Sequence, residues 1–151
     1  ESLRAIHEPF NISRKIVGFD TFAGFPSVDS KDGEDRIAAV GNYATTSGYD
    51  EYLRRIMDYH EAINPNPHFV KYELRKGHAT VEVEKYFDEN PQAIVALAYF
   101  DFDLYTPTRK CLEAIRERVT KGICVRMSRM NARLVDMSED SMLPLSKLSS
   151  K

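Results

Sequence analysis

The stretch that most constrains this chain is residues 94–108, IVALAYFDFDLYTPT. Its first half is a short, continuous apolar run rich in β-branched and aromatic residues, bracketed by Pro91 and Pro107. A run of that length reads as a strand buried on both faces rather than as a helix. Asp101 and Asp103 follow where such a strand ends. Thr106 then suits a helix cap, and Pro107 suits the first helical turn. Ligands of open α/β sheets bind beyond the carboxyl ends of the strands. Two acids placed there must be compensated by a metal, a cation or water. The plainer alternative is that one Asp caps the helix while the other is solvated.

The remaining chain supplies the partners for such a strand. Residues 14–19 (RKIVGF) read as another strand, running into Asp20 and a Gly/Pro loop, 21–26. An acid at that position is where nucleoside-binding folds hold ribose hydroxyls, although a lone Asp also serves simply to cap a turn. Residues 27–49 are polar and punctuated by Gly33, Gly41 and Gly48, which predicts a functional or disordered loop. Helical spacing returns over 50–62, where Tyr52, Leu53, Ile56, Met57 and Tyr59 share a face, and Asn64-Pro65-Asn66-Pro67 ends it. Alternation over 69–74 predicts an edge-side strand, Gly77-His78-Ala79 a turn, and 81–89 a helix. His78 is either a base or a loop residue. A helix over 106–119 and a strand near 123–125 complete an alternation that specifies a parallel, doubly wound α/β sheet.

Composition narrows the class. With 151 residues, 42% hydrophobic content, 29% charged content and a net charge of -2, the chain is long enough for one real core. Its lysines and arginines are scattered among acids, which argues against a nucleic-acid partner, and no apolar run would span a membrane. Cys111 and Cys124 lack metal-type spacing, so reduced thiols and a cytoplasmic location are expected. Residues 1–8 read as the last turns of a helix, so the sequence has the look of a fragment. Residues 126–151 lose all periodicity, which divides the chain into a domain over 1–125 and a divergent tail over 126–151.

Three stretches together carry a resemblance, IVGFDTFAGFP (16–26), YELRKGHATVEVEKYF (72–87) and ALAYFDFDLYTPTRKCLEAI (96–115), and the tract GYDEYLRRIMDYHEAINPNPH (48–68) is similar to one branch of the same family. In this order they resemble the macrocin O-methyltransferase (TylF-type) family, S-adenosylmethionine-dependent sugar O-methyltransferases of antibiotic and deoxysugar pathways. The resemblance implies a Rossmann-like methyltransferase sheet, mostly parallel, whose first strand and glycine-rich loop would precede Glu1. It implies that Asp20, with Thr21 and Phe22, holds the cofactor ribose. The turn Gly77-His78-Ala79 would approach the adenine, with His78 standing where the family has an acid.

The Asp-x-Asp-Leu-Tyr motif would make Asp101 a magnesium ligand or base and Asp103 a second acid of the site. A hard cation and a carboxylate together can activate a sugar hydroxyl for in-line attack on the methyl group. The implied partner is a small-molecule sugar, of deoxysugar or macrolide type, and a homo-oligomer is allowed. Beyond Gly122 the family carries further acids that complete the metal site, whereas Arg126 lies near that position here. This inventory predicts a truncated or inactive member. Two alternatives stay open. Apolar strand plus Asp-x-Asp also resembles haloacid-dehalogenase-type phosphatases, with Asp101 as nucleophile and Asp103 as acid/base, though Tyr105 departs from that motif. The other is a non-catalytic remnant of the methyltransferase fold.

Overall fold

A computed structural model describes residues 6–25, 40–102 and 104–127, the last eight of these by main chain only. Its elements alternate: β1 (Ile16–Asp20), α1 (Tyr49–Ile63), β2 (Tyr72–Lys76), α2 (Ala79–Glu89), β3 (Val95–Phe100), α3 (Tyr105–Ile115), a 3-10 turn (Arg116–Arg118) and β4 (Val119–Met127). This is the expected α/β class with parallel strands. β1 pairs with β2 from Ile16↔Tyr72 to Asp20↔Lys76, and β3 pairs with β4 through Leu97↔Cys124 to Phe100↔Met127. Among the described residues, the two pairs share no ladder.

The helices unite them. Tyr72 faces α1, where its hydroxyl donates to Asp58 Oδ1 at 2.5 Å. On the opposite face, Arg75 stacks on the Tyr86 ring of α2 at 5.1 Å and hydrogen-bonds Glu89. Thus α1 and α2 cover opposite faces of the first pair. One core joins the buried Ala79, Val83 and Phe87 of α2 with Phe100 of β3 and Cys111 and Ile115 of α3, and Phe19 of β1 packs against it. Right-handed crossovers on opposite faces advance in opposite directions across a sheet. The chain therefore moves one way from β1 to β2 and the other way to β3 and β4. The reversal falls between β1 and β3.

Several expected boundaries shift. β3 is not buried on both faces: Leu97 is 52% and Tyr99 61% exposed, while Phe100 is 5% exposed. Helices α2 and α3 cover only one side of it. The helix expected from Thr106 starts at Tyr105, with Leu104 at the cap position and no side-chain cap. Thr106 thus sits inside the first turn beside Pro107, and the buried Thr108 hydroxyl donates back to Leu104 O. The second strand lies at Tyr72–Lys76 instead of 69–74, where the parallel ladder with Ile16–Asp20 runs. β4 begins at Val119, earlier than expected, and continues through Met127, past residue 125. Most of the expected tail, 128–151, lies outside the described residues, as do 1–5 and the greater part of the polar loop.

Candidate functional site

Asp20 is the last residue of β1 and is exposed. Its main-chain carbonyl accepts a hydrogen bond from Gly77 N at 2.9 Å, which ties the β1 end to the turn that opens α2. Two of the expected cofactor segments, Asp20-Thr21-Phe22 and Gly77-His78-Ala79, are therefore adjacent. The Asp20 carboxylate is oriented by its own loop: Oδ1 accepts from Phe22 N at 2.6 Å. The Thr21 hydroxyl donates to Gly24 O at 3.0 Å and accepts from Ala23 N at 3.2 Å. These side-chain bonds replace the ladder partners that the chain loses on leaving the sheet.

The lysine across the ladder does not neutralise Asp20. Lys76 is its register partner, yet Lys76 Nζ is bound to Asp50 at 2.8 Å and holds that carboxyl below its ordinary range. Among the described residues no cation is paired with Asp20, so its charge is available to a hydroxyl donor. His78 caps α2 through its main-chain carbonyl, which accepts from Val81 N and Glu82 N at 2.9 Å, while its side chain makes no cap bond. Ala79 is only 8% exposed and contributes to the core rather than to a surface.

Asp101 follows β3 directly and is exposed. The helix α2 carries the chain back from the end of β2 to the start of β3. The carboxyl end of β3 thus returns to the side on which α2 begins, next to the reversal between β1 and β3. Asp103 lies outside the described residues. Magnesium requires several hard oxygen ligands in near-octahedral order. Among the described residues, which do not include Asp103, no three acidic, histidine or cysteine side chains group to hold a metal ion. The main chain of Arg126 in β4 pairs with Tyr99, not with the Asp101 end of β3.

Sequence reading missed a segment that bears on this edge. Residues 40–45 return antiparallel to the Asp20 loop: Ala23 bridges Ala44, Phe25 N donates to Asn42 O, and Gly41 N donates to Phe25 O. The only sequence trace is a glycine in each segment, Gly24 and Gly41, both of which the structure places at positive φ.

Two solved structures resemble the chain. It is 38% identical, with a TM-score of 0.85, to the crystal structure of CalS11, the calicheamicin methyltransferase, over 95% of this chain and 61% of that one. The fold is the α/β fold of an O-methyltransferase. The apo structure of CalS11, described as a TDP-rhamnose 3'-O-methyltransferase of calicheamicin biosynthesis, matches at 33% identity and TM-score 0.70, over 95% and 59%. The chain thus spans about three-fifths of the length of these neighbours. No protein-family model and no curated protein matches it. Both neighbours are sugar O-methyltransferases, which supports a methyltransferase over a phosphatase. Among the described residues, no helix is long and apolar enough to cross a membrane.

Proposed function

We propose that this chain carries the cofactor-ribose edge and the catalytic strand end of an S-adenosylmethionine-dependent sugar O-methyltransferase of the macrocin type. The observation that carries the reading is an acid, Asp20, with no paired cation among the described residues, at a strand end beside the crossover reversal, in a chain 38% identical to a sugar O-methyltransferase. Crevices at such reversals are where doubly wound sheets take nucleoside ligands. Asp20 accepts the ribose hydroxyls, and the Gly77 turn brings main chain close to the base. When bound, the cofactor supplies an electrophilic methyl group on a sulfonium. Asp101, exposed at the end of β3, takes the proton of the attacking sugar hydroxyl, with Asp103 the second acid in the motif. Proton removal of this kind contributes on the order of a hundredfold to ten-thousandfold in rate. By likeness to the neighbours, the acceptor is a nucleotide-linked deoxysugar.

The test is methyl transfer from labelled S-adenosylmethionine to TDP-rhamnose, together with calorimetric titration of S-adenosylhomocysteine. Saturable binding that weakens at least tenfold in Asp20→Asn, with transfer abolished in Asp101→Ala, is the expected result. Binding without transfer marks the non-catalytic member that the sequence inventory anticipates. Absence of binding by the wild-type chain overturns the proposal.

A further inference from the structure

The loop that carries Asp20 contains a costly conformation. Phe22 has φ +57, in the left-handed region that a bulky aromatic residue rarely occupies. Such a residue persists only where its surroundings over-determine it. Here the surroundings come from distant chain: the Thr45 hydroxyl donates to Phe22 O at 3.0 Å. The same peptide region is fixed by the Ala23↔Ala44 bridge and by the Phe25 and Tyr43 rings, whose centroids lie 5.2 Å apart. Gly24, at φ +77, lets the two segments approach this closely.

Phe22 is also the residue whose N–H is bound to Asp20 Oδ1. Thr45 holds the carbonyl of Phe22 and Asp20 holds its amide, so the orientation of the carboxylate depends on a hydroxyl 23 residues away. With Oδ1 engaged, Oδ2 has no hydrogen bond among the described residues. We propose that Thr45 is a positioning residue that sets the Asp20 carboxylate for ribose hydroxyls by locking Phe22 in its left-handed conformation. Preorganised acceptors of this kind raise affinity by removing the ordering step from binding. The inference rests on the reading of Asp20 as the cofactor acid.

Its test has two arms. Without ligand, amide exchange at Phe22 is expected to be slow in wild type and in Thr45→Ser. It should quicken at least tenfold in Thr45→Val, while exchange in β2 stays unchanged. With S-adenosylhomocysteine as probe, Thr45→Val is expected to weaken binding about fivefold to tenfold and Thr45→Ser to restore it to within about twofold. In an Asp20→Asn background, Thr45→Val should add no further loss, because the two act on one carboxylate. Unchanged Phe22 exchange in Thr45→Val overturns the inference, as does additive loss in the double variant. If wild type fails to bind the probe, the methyltransferase reading falls, and the exchange arm still decides whether Thr45 locks the loop.

Discussion

At Gly24 a methyl group would lie 2.3 Å from the Asn42 carbonyl oxygen and 2.6 Å from that of Gly41, and φ is +77. Both obstacles are backbone, so neither can move aside cheaply. Gly24→Ala is expected to destabilise by about 1–3 kcal/mol, the range for backbone strain of this type, and to loosen residues 20–25. A lowered urea midpoint with faster amide exchange at Phe25 would show it. Cys111 is a different case. Burial, reinforced by the Glu84 charge, pushes its thiol up to about 12, and the residue is 3% exposed. Thiolate is the reactive species, so Cys111 should resist iodoacetamide at pH 8 in the folded chain and react after unfolding. Peptide mapping of the two states checks this.

Among the elements, α1 and the start of β2 are joined by two adjacent polar contacts, Lys71 with Glu61 and Tyr72 with Asp58. Lys71, 1% exposed, holds its ammonium 2.6 Å from Glu61 Oε2 as an ion pair and donates hydrogen bonds to Phe69 O at 2.9 Å and Asn66 O at 3.2 Å. Removing the cation alone would strand a carboxylate in the interior. Lys71→Met is therefore expected to cost about 3–5 kcal/mol, and Lys71→Met with Glu61→Leu to recover most of it. Urea denaturation of the three proteins tests the pair.

In the adjacent contact, burial and the bond donated to Asp58 push the Tyr72 hydroxyl up to about 12. An acid with a raised folded-state pKa favours the folded chain while neutral. That contribution is complete below about pH 10 and is lost as pH rises from there through about 12. Tyr72→Phe should remove this alkaline slope from the stability profile.

Across the whole molecule, α2 is what makes two strand pairs one body. Phe87 lies at the centre, 7% exposed, with the Arg118 guanidinium 5.2 Å from its ring centroid. Phe87→Ala is expected to cost about 3–5 kcal/mol through lost burial and the cavity left behind. Because the core of α2 contacts Phe19 of β1 as well as Phe100 of β3, both pairs should gain exchange together. Acceleration confined to β3 and β4 would show that the pairs are stabilised separately.

The sequence determined the order of elements because periodicity and turn chemistry are local. The apolar run before Asp101, the helical face of Tyr49–Ile63 and the Gly77 turn were all legible, as was the placement of Asp20 at a strand end. Family likeness in three stretches, with a fourth similar to one branch, also sufficed to anticipate a methyltransferase fold. What needed the tertiary structure were properties set by neighbours distant in sequence. Whether β3 is covered on one face or two depends on where helices pack, and an apolar run looks the same in either case. The return of residues 40–45 onto the Asp20 loop leaves no periodic trace, since it is made of carbonyls, one hydroxyl and close backbone contact. Lys76 and Asp50, likewise, are ordinary surface charges until folding joins them, and their pairing leaves Asp20 without a cation among the described residues.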